Sequence, residues 1–179
     1  GGLITTNDQT LNDTVAMLRV HGSRTRYVHE LVGINSRLDA LQASVLTVKL
    51  RHLDRWIEGR RRNATRYERL FEDAKLLERM TLPKTEAGNF HVFNQVTIRA
   101  QKRDELKAYL KDKGVGTEIY YPVPMHLQNC FKELGYQKGS LPVSERAAEE
   151  VLSLPIYTEL TDDQLGYVVE QIKAFYAKH

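Results

Sequence analysis

The stretch VGINSRLDALQA, Val32 to Ala43, sets an amide at Asn35 and a guanidinium at Arg37 in a loop that runs into an apolar helix. Both side chains donate hydrogen bonds and Arg37 adds positive charge, so the pair suits an anionic oxygen. Ser36 is expected to open the helix, with Asp39 three residues on at capping-box spacing. Asn35 would then precede a helix start, where unpaired backbone N–H groups and the dipole favour an anion. A cap or turn residue is the plainer reading of Asn35, and a surface ion pair the plainer reading of Arg37.

Other chemistries find less support. Cys130 is the only cysteine among 179 residues, which rules out an internal disulfide within the chain and fits a reducing cytoplasm. With only His126 near it in sequence, Cys130 reads as a small buried hydrophobe rather than a nucleophile. The six histidines show no metal-ligand spacing, so no metal is expected. A Schiff-base lysine must be desolvated or crowded by cations. Lys102, Lys107, Lys111 and Lys113 sit on polar faces, and Lys49 reads as a snorkelling side chain. No catalytic residue is assigned to this chain.

Seven arginines between Arg51 and Arg69 could meet phosphates. Asp54, Glu58 and Glu68 interrupt them, and the net charge of +3 is modest. A solvated helix face with internal ion pairs is the better reading, so no nucleic acid is expected. No apolar run approaches the roughly 20 residues that span a bilayer.

The elements that must position these groups alternate between helix and strand. Leu3 to Thr6 reads as a short strand, followed by a helix capped at Asn12 or Asp13 and closed by Gly22. The next segment, from Ser23 to Asn35, reads as a loop. In the helix after Asn35, Leu41, Val45 and Val48 form one stripe and Leu46, Leu50, Leu53 and Ile57 another, which suggests burial on two sides. A long helical stretch follows, with a break expected near Gly59. FHVFNQVTIRA and VGTEIYYPVP read as strands, with a helix from Arg103 to Lys113 between them. A short helix ends at Gly135, and another covers Ser144 to Leu152. The last helix starts at a Thr161–Gln164 capping box with a Leu160–Leu165 staple.

The ordered motifs GGLITTND, LRVHGS, VGINSRLDALQASVLTVKLRHLDRW, RRRNATRYERL, GVGTEIYYPVPMHLQ and LPVSERAAEEVLSLPIYTELTDDQLGYVVEQI resemble those of the DegT/DnrJ/EryC1/StrS aminotransferases. The resemblance implies an α/β enzyme of the aspartate aminotransferase-like fold type I, dependent on pyridoxal 5'-phosphate. Residues 1–50 would end the large cofactor-binding domain, residues 51–74 would form a connecting helix and residues 75–179 a small α+β domain. It implies a cytoplasmic homodimer with shared active sites, aminating nucleotide-linked keto sugars for cell-surface polysaccharides or antibiotics, with glutamate as amino donor.

The family's Schiff-base lysine would lie just upstream of Gly1, so the chain is expected to be a C-terminal fragment, inactive alone. The family's matching asparagine reaches the cofactor phosphate of the neighbouring subunit, which implies that role for Asn35. Arg37 would add a bond to that phosphate or to a donor carboxylate. The segment EIYYPVPMHLQ would line the sugar-nucleotide pocket through Tyr121 and His126, whereas Tyr120 replaces the histidine usual in the family. Two rivals are a non-catalytic dimerising module and a sugar dehydratase of the same family.

Overall fold

Asp8 accepts a hydrogen bond from the Leu11 amide and so starts α1 (Gln9–Leu18), four residues before the expected Asn12 cap. The computed structural model describes residues 2–178 and divides the chain into two units, Gly1–Arg51 and His52–His179. In the first, α1 is followed by a small antiparallel hairpin, β1 (Ser23–Thr25) and β2 (Val28–His29), where a loop was expected. The hairpin was hidden because its turn carries Tyr27 at positive φ rather than the usual glycine or asparagine. Leu3 and Ile4 form no strand and are exposed, because no described strand pairs with them.

The next helix, α2 (Ala40–Leu50), begins later than Ser36 implied. Asp39 is its cap and accepts from the Leu41 amide at 2.8 Å. No residue of α2 is buried. Leu41, Val45, Leu46, Val48 and Leu50 are all exposed, so among the described residues the apolar stripes lack the burial on two sides expected over α2, and only Ile57, in the following helix, is half-buried.

The second unit is organised around α3 (Leu53–Asp73), which runs through Gly59 without a break. Glycine stands there because the side chain of Thr158 occupies the space a Cβ would take. One face of α3 is fastened to the segment 155–158. Thr158 Oγ1 donates to the Trp56 carbonyl, Asn63 Nδ2 to the Tyr157 carbonyl, and the Tyr67 hydroxyl to the Pro155 carbonyl. Burial raises the Tyr67 phenol well above its ordinary pKa, so it stays a donor. The arginines of α3 do more than solvate a face. Arg60 grips the carbonyls of Asn94 and Ile156, and Arg61 that of His91 at 2.7 Å. Among the described arginines of α3, Arg66 is the one that pairs with a carboxylate, 3.3 Å from Asp162.

A three-stranded antiparallel sheet follows, with β3 (Met80–Thr81) beside β4 (Val96–Ala100) and β4 beside β5 (Val151–Leu154). Val96, Ile98 and Ala100 alternate inward along β4, as a half-buried strand requires. Between β4 and β5 lie α4 (Arg103–Asp112), two short 3₁₀ turns (Met125–Leu127 and Asn129–Leu134) and α5 (Pro142–Glu150). The expected helix from Ser144 to Leu152 therefore stops at Glu150, because Val151 to Leu154 turn extended to pair with β4. Residues 115–124 form no full strand. Pro122 and Pro124 remove backbone donors, and only a Glu118–Ser153 bridge joins them to β5.

The final helix, α6 (Asp162–Tyr176), has the expected reciprocal capping box, with Thr161 and Gln164 bonding each other's backbone N–H groups. It packs against α3 and α4. Phe71, Ile98, Leu106, Leu110, Leu152, Leu165, Ile172 and Phe175 are essentially sealed from solvent between sheet and helices. Burying each such side chain stabilises the fold by about 1.5–3 kcal/mol. Cys130 is exposed, not buried, because its 3₁₀ turn buries no residue. No described helix is long and apolar enough to cross a membrane.

Candidate functional site

Two glycines build the seat of Asn35. A Cβ on Gly33 would collide with the Gly22 amide and lie 2.5 Å from the Leu18 carbonyl oxygen. Gly22 sits at φ +74°, in the left-handed region, and a Cβ there would overlap the Leu31 backbone. This close approach lets the loop hydrogen-bond along the end of α1. Ile34 N–H donates to the Leu18 carbonyl, Ser36 N–H to that of Arg19 and His21 N–H to that of Ile34, each at 2.9 Å. Asn35 itself pairs with Val20 in an isolated antiparallel bridge.

On this seat, Arg37 Nε donates to Asn35 Oδ1 at 3.1 Å. The bond takes the amide's acceptor and leaves its NH₂ group as the free end. Among the described residues no partner is recorded for that NH₂ or for the terminal nitrogens of Arg37, and both residues are exposed. Together they present several hydrogen-bond donors and one positive charge, a set that fits a phosphate monoester. The helix start does not assist in the way expected. Asn35 lies four residues before the cap of α2, and the Asp39 carboxylate already occupies that N-terminus.

In the second unit, Tyr121 is 72% exposed and rests edge-on to Tyr120, with ring centroids 5.7 Å apart. His126 is buried, and its Nε2 lies 3.0 Å from Glu145 Oε1. Glu145 also accepts from the Gly139 amide through both oxygens and from the Leu141 amide. The Gly139 N–H first, and the His126 bond second, hold the Glu145 carboxyl below its ordinary pKa. Sequence reasoning missed Glu145. The local signal was a carboxylate in the first turn of a helix opened by Pro142, but its side-chain partner His126 lies nineteen residues earlier. The structure thus joins Asn35 to Arg37 in the first unit and His126 to Glu145 in the second. It leaves Tyr121 mostly exposed, with its ring against that of Tyr120.

The sequence pattern of the DegT/DnrJ/EryC1/StrS aminotransferase family matches residues 1–173. The chain is 52% identical over 176 residues to a pleiotropic regulatory protein of Geobacillus stearothermophilus, covering 98% of this chain and 47% of that protein. It is 40% identical to a dTDP-3-amino-3,4,6-trideoxy-alpha-D-glucose transaminase of Streptomyces venezuelae, covering 97% of this chain and 45% of the relative. The crystal structure of S. venezuelae DesV in complex with a ketimine intermediate superposes with a TM-score of 0.84 at 38% identity, over 95% of this chain and 45% of that one. The chain spans about half the length of the curated relatives it matches.

Proposed function

Since this chain belongs to the DegT/DnrJ/EryC1/StrS aminotransferase family, we propose that it is the C-terminal portion of a pyridoxal-phosphate enzyme that aminates keto sugars carried on nucleotides. The observation that carries this reading beyond membership is the Asn35–Arg37 pair, whose free donors suit a phosphate monoester. Arg37 fixes the amide so that its NH₂ faces outward, and the Gly22–Gly33 contact fixes the loop beneath it. Asn35 holds the cofactor phosphate of a sister subunit, and Arg37 adds charge there or to the carboxylate of a glutamate donor. The cofactor, when bound, supplies the electron sink for moving an amino group.

Tyr121 offers a hydroxyl to the sugar nucleotide, and His126 braces the segment that carries it. Residues 1–50 close the large domain, residues 51–74 connect, and residues 75–179 form the small domain. The exposed apolar stripes of α2 fit a helix that meets the rest of a longer protein and a second subunit. The anchoring lysine is supplied from outside this chain, so the 179 residues alone perform no transamination.

Two measurements test this. In the full-length protein, Asn35→Ala should weaken pyridoxal phosphate binding about tenfold, the worth of one hydrogen bond to a charged group. Unchanged affinity in a fluorescence titration would overturn the phosphate role. The 179-residue chain mixed with the cofactor should give no stoichiometric, borohydride-trappable visible absorbance. A second reading, the non-catalytic module, is favoured by one observation, the regulatory name of the 52% identical relative. It predicts no amine transfer by the full-length protein to any nucleotide-linked keto sugar.

A further inference from the structure

Segment 119–125, which carries Tyr121, is anchored at both ends. At its start Glu118 and Ser153 exchange backbone hydrogen bonds at 2.7 and 3.2 Å, tying the segment to β5. The Glu118 side chain reinforces that end by accepting from the Ile119 amide and from Lys107 Nζ. At its far end stands His126, bonded to Glu145, whose side chain is only 12% exposed. Between the anchors, Pro122 and Pro124 fix φ at two positions, which limits the ways the segment can take up a shift at either end.

Glu145 suits the far anchor because an ionised carboxylate only accepts, and it has two oxygens to do so. It draws together three stretches of chain: the turn holding His126, the Gly139–Leu141 turn and its own helix α5. Without it, the two amides and the buried imidazole lose their shared acceptor. Each then gains by moving toward water, and the end of the tyrosine segment moves with them.

We propose that Glu145 is a positioning residue for substrate, setting through His126 where Tyr121 meets the sugar-nucleotide ligand. This rests on reading Tyr121 as part of the sugar-nucleotide pocket. The test uses the full-length enzyme and four proteins: wild type, Glu145→Ala, Glu145→Gln and Tyr121→Phe. Glu145→Ala should raise KM for the nucleotide sugar roughly tenfold, about one hydrogen bond's worth of binding. It should leave the single-turnover rate of the amino-donor half-reaction unchanged, which general destabilisation would not. Glu145→Gln, which keeps one acceptor oxygen, should fall between. Hydrogen exchange should quicken over residues 119–141 and not in α6.

If Tyr121→Phe raises KM while both Glu145 variants leave it alone, the positioning role is wrong and the pocket reading stands. Equal losses in both half-reactions would also overturn the positioning role. If Tyr121→Phe itself leaves KM unchanged, the pocket reading has failed, and Glu145 loses its substrate role with it.

Discussion

Arg37 Nε donates to Oδ1 of Asn35 at 3.1 Å, so the guanidinium decides which end of the amide faces outward. A substitution that keeps this contact but reverses the outward group separates orientation from charge. Asn35→Asp retains an acceptor for Arg37 and turns the contact into an ion pair. It also places a negative charge where the NH₂ group stood. In the full-length protein, cofactor affinity should therefore fall from wild type to Asn35→Ala to Asn35→Asp. The last step should be at least about tenfold, because like charges brought together cost several kcal/mol. An aspartate variant that binds as well as the alanine one would mean the phosphate sits elsewhere.

The same seat depends on Gly33. Alanine there would drive its Cβ into the Gly22 amide and against the Leu18 carbonyl, both backbone and unable to swing aside. Gly33→Ala should destabilise its unit by about 1–3 kcal/mol, the usual cost of forced overpacking. Hydrogen exchange should quicken at the Ile34 and Ser36 amides, whose bonds to α1 the collision breaks. Gly88, which has open space around it, serves as the control glycine. Its φ of +82° makes alanine strained there too, so the comparison rests on where exchange changes rather than on stability alone.

What could be read from sequence follows from how local each cause is. The Thr161–Gln164 capping box and the Leu160–Leu165 staple lie within a few residues of one another, and α6 starts where they imply. Strand β5 was lost because Ala148, Val151 and Leu152 fit a helical period. Its extended state comes instead from pairing with β4, more than fifty residues earlier. One local signal was present: Leu154 precedes Pro155, and a residue before proline avoids the helical region. Residue type and position marked Asn35 and Arg37 as suited to an anion, and the resemblance proposed which anion. The contact that orients the amide, and the Glu145 clasp on His126, depend on folded geometry that spacing does not encode.

Gly59 offers a test of packing inside α3. Alanine in a helix interior is worth about 1 kcal/mol over glycine by propensity. Here its Cβ would meet the Thr158 methyl, and the threonine is fixed by its bond to the Trp56 carbonyl. The collision should win, with Gly59→Ala lowering the thermal midpoint through a loss of about 1–3 kcal/mol. Thr158→Ser removes the methyl and keeps the hydroxyl bond. The double variant should regain most of that loss. If it stays as unstable as Gly59→Ala, the methyl was not the obstacle.

Acid should loosen the second unit through two glutamates. The Ile119 amide first, then Lys107, hold Glu118 below the ordinary glutamate range, and the Gly139 amide first, then His126, do the same for Glu145. A depressed folded pKa means the folded state favours the charged form. The resulting stabilisation is fully present above the unfolded value of about 4.3 and is lost as pH falls through the lower folded value. In urea titrations, the gap in midpoint between wild type and Glu145→Gln should stay constant from neutral pH down to about 5, then narrow below about 4.3. Glu118→Gln should behave alike, and the double variant should show the flattest acid limb. A gap that stays the same width at every pH would assign the loss to packing, since an uncharged side chain has no proton to gain.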